Sequence, residues 1–193
     1  MPHAPEMKRK SRQKILEAAM RLFKERGFEG VSIDEITGDA GLTRGAFYAH
    51  FKSKADLIAQ AFLSDAGALA PTTADASGLG RFADAYVSAQ HRDNPGSGCP
   101  VAALTQSVAR EGRDARAAYT QFMKHFTGVI DIYLGNDQGD LSDDALALVA
   151  QMMGAVQMAR AVDDPVLSTR ILKAGRQAVD YLLPPEDEDT DAA

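Results

Sequence analysis

Apolar residues recur at intervals of three and four along most of the chain, the spacing that puts side chains on one face of an α-helix. The first such segment, from about Ser11 to Arg26, is followed by Gly27, a residue that commonly ends helices. Alternating β-branched runs, which are typical of strands, are absent. The pattern therefore predicts an all-α protein of about nine helices. The others are expected near 32–40, 43–51, 53–62, 81–91, 100–110, 113–134, 142–162 and 165–183.

Residues from about Ser32 to Phe51 have the pattern of a helix-turn-helix. Ser32 stands three residues before Glu35, which is capping-box spacing, and Gly41-Leu42 predicts a tight turn between two short helices. If the apolar residues of both helices face inward, four polar or small residues remain near the exposed start of the second helix: Thr43, Arg44, Gly45 and Tyr48. An arginine there can donate to guanine edges, and a glycine allows close backbone approach. Spacing alone also fits a compact three-helix core with a solvated charged face.

The composition is that of a globular protein, with 45% hydrophobic and 25% charged residues in 193. The net charge of −6 is unevenly distributed, since residues 1–60 carry 11 lysines and arginines against 8 acids, whereas the rest carries 10 against 19. This asymmetry favours an N-terminal part that meets a polyanion. The longest apolar stretch, 145–162, is interrupted by polar residues, and no secretory signal is evident. We therefore expect a soluble cytoplasmic protein that does not contact membranes.

Two segments lack the pattern of a packed helix. Residues 65–80 are small and rich in helix breakers, which predicts a loop. Residues 184–193 hold five acids and no core-forming side chain, which predicts a disordered acidic tail.

Residue patterns for enzymatic or metal chemistry are missing from the sequence. The four histidines have no metal-ligand spacing with one another or with Cys99, the only cysteine. No nucleophile elbow or glycine-rich phosphate loop occurs. We expect no catalytic residues, no metal and no cofactor.

The stretch from Val31 to Leu57, VSIDEITGDAGLTRGAFYAHFKSKADL, closely resembles the DNA-binding signature of the TetR family of bacterial repressors. The family pattern Gly-Leu-Thr-Arg-Gly-x-Phe-Tyr-x-His-Phe-x-x-Lys occurs here from Gly41 to Lys54. One departure is Ala49, which stands where the family often has an aromatic residue. The resemblance covers roughly residues 10–62.

The resemblance implies a role for seven side chains in binding DNA. It implies base reading by Arg44 and Gly45, and phosphate contacts by Ser32, Thr43, Tyr48, His50 and Lys54. It also implies a three-helix DNA-binding domain at residues 1–53 and a larger ligand-binding and dimerisation domain at 54–183. The implied partner is double-stranded DNA with an inverted-repeat operator.

Family members dimerise through their last two long helices, a role that residues 142–162 and 165–183 fit by length and position. Leu146, Val149, Met153 and Val156 give the first of these helices an apolar stripe, and Gly154 and Ala155 would let partner helices approach. Packing of these helices within the monomer alone is the alternative, but it would leave their outer apolar surface bare.

A small-molecule effector pocket is expected in the C-terminal domain. The candidate lining residues are Cys99, Phe122, Met123, Phe126, Met153 and Gln157. Cys99 precedes Pro100 at the predicted start of a helix, where a thiol could act as a sensor of oxidants or electrophiles, or could simply be a packed residue. Two functions are weighed: a repressor that an effector releases from its operator, and a small helical enzyme or ligand carrier whose N-terminal motif is incidental.

Overall fold

The computed structural model describes residues 4–66, 76–136 and 140–183. Within these ranges every regular element is helical, which confirms the predicted all-α class. No described helix is both long and apolar enough to cross a membrane. A 3-10 turn at Pro95–Ser97 precedes α7. The described α-helices are α1 (Ala4–Arg26), α2 (Ile33–Asp39), α3 (Arg44–Tyr48), α4 (Lys54–Ala66), α5 (Ala76–Tyr86), α6 (Ala89–Asp93), α7 (Pro100–Val108), α8 (Arg113–Tyr133), α9 (Asp143–Ala161) and α10 (Pro165–Leu182).

Helix α1 begins seven residues before the predicted start near Ser11. Its additional turns contain a Glu6–Lys10 ion pair of 2.7 Å across one helical turn. Pairs at this spacing stabilise a helix modestly, and lysine and arginine are good helix formers. The basic segment before Ser11 is therefore part of the helix.

The predicted helix at 81–91 was wrong, because α5 and α6 occupy this region. The Ser88 hydroxyl caps α6 by accepting a hydrogen bond from the His91 backbone N–H at 3.1 Å. Helix α5 begins inside the predicted 65–80 loop, since burial of Leu79 and Ala83 outweighs the low helix propensity of the glycines and serine nearby. The rest of that loop, 67–75, and the predicted tail, 184–193, lie outside the described residues.

The described helices form two compact units, which we treat separately. The first comprises α1 to α4 together with residues Asn94–Met123. Its core is built on aromatic rings, with Phe28 edge-on to Phe23 at 5.1 Å between centroids and Phe62 packed on Phe122 at 6.1 Å. The boundary between residues 53 and 54, predicted to separate the DNA-binding domain from the ligand-binding and dimerisation domain, stays a prediction.

The second unit comprises α5, α6 and the residues from Lys124 onward. Phe126 stacks on Tyr86 with ring centroids 6.0 Å apart. Helix α10 begins as predicted, with Pro165 in its first turn and Asp164 as its N-cap, whose carboxylate accepts from the backbone N–H of Val166 at 2.8 Å.

Helices α9 and α10 pack closely within the same chain. Val149 and Val156 are 2% and 0% exposed, so these members of the predicted interface stripe are core residues of the subunit. Ala155, predicted to face a partner helix, is instead buried against Gly175 of α10, where an added Cβ would lie 2.3 Å from the Ala155 Cβ. A sequence that is apolar on several helix faces does not reveal which face turns inward.

We expect Gly175→Ala to destabilise the protein. The new methyl group would force α9 and α10 apart, and overpacking of this kind costs about 1–3 kcal/mol. The matched control is Gly80→Ala on α5, where an added Cβ has no neighbour within 4 Å. That change should be neutral or stabilise by up to about 1 kcal/mol, because alanine favours a helix over glycine. Urea unfolding of both variants measures the difference, and equal stabilities would contradict the packing described here.

Candidate nucleic-acid interface

The start of α2 is fixed by the capping box that the sequence predicts. The Ser32 hydroxyl accepts from the Glu35 backbone N–H at 3.2 Å, and the Glu35 carboxylate accepts from the Ser32 backbone N–H at 2.7 Å. Arg26, at the end of α1, donates to the same carboxylate at 2.8 Å. Three hydrogen bonds lower the pKa of Glu35 to about 2. The largest effect comes from the Ser32 backbone N–H, followed by the Ser32 hydroxyl and then Arg26. Both donors of Ser32 are therefore already used inside the subunit.

The turn between α2 and α3 is tight. Gly41 has a φ of +66°, in the left-handed region that glycine adopts without strain. The Leu42 backbone N–H then donates to the Thr37 carbonyl oxygen at 2.8 Å. The sequence predicted this turn, because the turn depends on residues a few positions apart.

Helix α3 is anchored on one side and exposed on the other. Phe47 is 0% exposed, and its ring lies 5.5 Å from that of Phe51, which follows the helix rather than belonging to it. The opposite side of α3 and its N-cap present four residues to solvent: Thr43, Arg44, Gly45 and Tyr48. The hydroxyl of Thr43 makes no cap hydrogen bond.

Arg44 has two neighbours of its own chain. Its guanidinium pairs with the Asp34 carboxylate of α2 at 2.7 Å, and its Cζ lies 6.0 Å from the Tyr48 ring centroid. Tyr48 first, and then Asp34, raise the pKa of Arg44, which stays charged. Exposed ion pairs contribute little to stability, so this arginine can exchange Asp34 for another partner.

Nothing in the described chain requires glycine at position 45. Its φ is not positive, and an added Cβ would meet only the Thr43 hydroxyl oxygen, at an ordinary 3.7 Å. A side chain here would instead extend from the exposed face of α3.

His50 and Lys54 both contact other parts of the first unit. The His50 Nε2 lies 2.8 Å from the Ser11 hydroxyl of α1. Burial, followed by the nearby charges of Lys8 and Arg12, lowers the pKa of His50. The Lys54 ammonium donates to the Phe28 carbonyl oxygen and is half-buried, so a phosphate contact by Lys54 would have to be shared with this bond.

The sequence did not reveal the residues that hold Arg44 and His50. Asp34 is ten positions from Arg44, and Ser11 is 39 positions from His50. Neither pair has a local signature, because the contacts form only when the helices pack. The one possible signal for the His50 contact is a polar residue on α1. Its position relative to the end of α3 is known only once the fold is known.

The residues predicted to line an effector pocket fall in two groups. Cys99, Phe122 and Met123 belong to the first unit, whereas Phe126, Met153 and Gln157 belong to the second. Phe122 and Phe126 are each 1% exposed and packed on other aromatic rings. Their shared pocket stays a prediction.

Cys99 is the N-cap residue of α7, and Pro100 is in its first turn, as predicted. The thiol is partly exposed. The Lys24 ammonium of α1 donates to the carbonyl of the adjacent Gly98 at 2.9 Å, and burial lowers the pKa of Lys24. Lys24 also interacts electrostatically with Cys99.

Comparison with known proteins agrees with this arrangement. The family model described as bacterial regulatory proteins, tetR family, matches residues 15–61. The transposon Tn10 TetC protein of Escherichia coli is 43% identical over 60 residues, which cover 31% of this chain and 30% of TetC. The HTH-type transcriptional repressor DhaR of Mycobacterium sp. (strain GP1) is 28% identical over 158 residues, or 75% of this chain and 80% of DhaR.

A solved structure extends the likeness in fold beyond residues 15–61. The reduced form of E. coli NemR superposes with a TM-score of 0.74 at 18% identity, covering 92% of this chain and 98% of NemR. The sequence similarity to TetC, by contrast, spans less than a third of that relative. The family is one of regulatory proteins and not of enzymes. The helix-turn-helix therefore lies within the part of the chain, residues 15–61, that matches the tetR family of bacterial regulatory proteins.

Proposed function

We propose that the chain is a homodimeric transcriptional repressor that binds an inverted-repeat operator and is released by an effector. One observation carries the DNA-binding part: Arg44, Gly45 and Tyr48 lie exposed on a helix that Phe47 anchors in the core. An anchored helix with an exposed arginine and glycine fits the major groove, where arginine donates to guanine and glycine permits backbone approach. We place its action in the cytoplasm, with the DNA it would bind.

The surrounding residues supply backbone contacts in this proposal. Thr43 and Tyr48 offer hydroxyl groups beside Arg44, and His50 lies just beyond α3. Lys54, which the family resemblance also implies, would contact phosphate while keeping its bond to Phe28, because an ammonium has three donors. Ser32, also implied, would have to release its hydroxyl from Glu35 before it could donate to phosphate. Such contacts position the protein on DNA without reading its sequence.

Dimerisation would use the faces of α9 and α10 that the subunit leaves bare. Leu167 and Tyr181 are 41% and 89% exposed, and with exposed Ala174 they follow a seven-residue spacing along one side of α10. On α9, Met158 is 57% exposed. A second copy would bury these side chains and place two α3 helices symmetrically, as an inverted repeat requires.

Salt dependence of DNA binding tests the proposed function. A labelled duplex of mixed sequence and about 30 base pairs should bind, and the logarithm of its association constant should fall linearly with the logarithm of salt concentration, with a slope of about −0.9 per phosphate contacted. The absence of binding at low salt would overturn the proposal.

The effector step has two candidate forms, a small molecule held in a pocket and a reagent that modifies Cys99. For the second, α7 offers a route to the DNA-binding helices within the first unit. The hydroxyls of Thr105 on α7 and Tyr119 on α8 are 2.7 Å apart, and the Tyr119 ring packs edge-on against Phe62 of α4 at 5.6 Å. A change at the start of α7 could therefore reach α4.

Mild peroxide or a quinone is then expected to release bound duplex from the wild type but not from Cys99→Ser. Oxidation or addition at the thiol would enlarge the group at the N-cap of α7 and displace that helix. Fluorescence anisotropy with and without reagent measures the release. Equal release from both proteins, or from neither, would leave Cys99 as a packed residue and the effector as a non-covalent ligand.

A further inference from the structure

The junction between α1 and the residue after α3 holds a second group of polar residues, which lies outside the exposed face of α3. Ser11, Lys8 and Arg12 come from the part of α1 that precedes the family-model match at residue 15. His50 faces them across its 2.8 Å contact with Ser11. We call these four residues of the first unit, Lys8, Ser11, Arg12 and His50, the α1–His50 junction. It places two positive side chains near one imidazole.

The contacts of the Ser11 hydroxyl indicate which nitrogen of neutral His50 carries the proton. The Ser11 hydroxyl has one proton, and it donates this to the Lys8 carbonyl oxygen at 2.9 Å. A carbonyl cannot donate in return, so the remaining contact is satisfied when His50 Nε2–H donates to the Ser11 oxygen. Neutral His50 then has its acceptor lone pair on Nδ1.

A backbone phosphate requires a donor, because its oxygens are acceptors. With Nε2–H committed to Ser11, the ring can donate to phosphate only through Nδ1, and Nδ1 carries a hydrogen only in the imidazolium. We propose that His50 binds the DNA backbone as an imidazolium, with Ser11 as the positioning residue, so that each subunit takes up one proton from solvent on binding. This proposal rests on the proposed function and adds a proton-linked phosphate site to it.

The charged residues around the junction favour neutral His50 in the free protein, as the proposal requires. Lys8 and Arg12, both on α1, face His50 and disfavour its protonation in the free protein, which adds to the effect of burial in lowering the pKa of His50. On α4, Asp56 lies close enough to Arg12 for the two to interact, and Gln60 accepts a hydrogen bond from Arg12. The Phe51 ring packs 6.1 Å from the imidazole centroid. A phosphate would neutralise the positive charges and favour the imidazolium.

Proton uptake by His50 would make DNA affinity depend on pH. Where free His50 is neutral and bound His50 is protonated, affinity rises as pH falls, by at most about tenfold per pH unit for each subunit. Above the pKa of bound His50, or below that of free His50, the two states carry the same protons and affinity no longer changes with pH. Because phosphate contacts are independent of sequence, a mixed-sequence duplex suffices as the probe.

The test measures duplex affinity by anisotropy between about pH 5.5 and 8.5 at constant ionic strength. The wild type is expected to bind more tightly at low pH. His50→Gln keeps an amide donor but cannot titrate, so it should bind with a much weaker pH dependence. The matched control, His125→Gln on α8, should behave as the wild type. An unchanged pH dependence in His50→Gln would overturn the proposal.

Two further measurements separate the role of Ser11 from a merely structural one. Ser11→Ala frees the ring to carry its neutral proton on Nδ1, so it should bind with a reduced pH dependence, and Ser11→Thr should restore the wild-type profile. Long-range proton–nitrogen NMR of the free protein should show neutral His50 protonated at Nε2, and an Nδ1–H form there would overturn the proposal. If no variant binds duplex at any pH while NMR shows the Nε2–H form, it is the proposed function that fails, and proton-linked binding falls with it.

Discussion

Arg44→Ala is expected to abolish most sequence discrimination while leaving general DNA affinity much less affected. A bidentate arginine–guanine contact discriminates against the wrong base pair by roughly tenfold to hundredfold, and a symmetric dimer makes the contact in both half-sites. Competition between a selected operator and a scrambled duplex measures the ratio. A ratio equal to that of the wild type would show that another residue reads the sequence.

The matched control for Arg44→Ala is Arg21→Ala. Arg21, like Arg44, pairs with a carboxylate of α2, in its case Asp39, and its side chain is 42% exposed. It lies on α1 and not on α3, so its loss should leave discrimination unchanged. Asp34→Asn gives the complementary test, since freeing Arg44 and removing a negative charge should raise affinity for all duplexes and preserve the ratio.

The second large effect concerns association. Ala174→Glu should convert the dimer into monomers, because each subunit would bury a carboxylate in the interface. An unpaired buried carboxylate costs several kcal/mol, which raises the dimer dissociation constant at least about hundredfold. Sedimentation velocity measures the change, with circular dichroism to establish that the variant is folded. Ala174 is exposed in the subunit, so folding should be unaffected.

Ala117→Glu provides the matched control, since Ala117 is an exposed alanine of α8 in the first unit. It adds the same charge and should remain dimeric. Val156→Glu, by contrast, would place the carboxylate in the subunit core and test folding rather than association. If Ala174→Glu were folded and still dimeric, the dimer interface would not include this side of α10.

The sequence predicted best where local chemistry determines structure. The capping box of Ser32 and Glu35, the left-handed Gly41 and the Asp164–Pro165 start of α10 each depend on residues a few positions apart. The helix-turn-helix and its exposed residues followed from these signals. Its phosphate contacts remain predictions, because they depend on a partner.

The spacing of residues along the sequence could not predict contacts between residues that are distant in the chain. The Arg44–Asp34 and His50–Ser11 contacts exist only after packing. Helix α9 carries Ala, Leu, Val and Met on several faces, so periodicity could not tell that Val156 turns inward. The start of α5 is helical because Leu79 is buried, although its neighbours favour a turn.

Selection of bound duplexes from a random pool is the most direct test of sequence-specific repression by a dimer. Wild-type protein is incubated with the pool, and bound duplexes are recovered and sequenced over successive rounds, with Arg44→Ala in parallel. The account predicts enrichment of an inverted repeat with a guanine at corresponding positions of both half-sites, and loss of that preference in Arg44→Ala. Enrichment of no common sequence, or of the same sequence by both proteins, would contradict it.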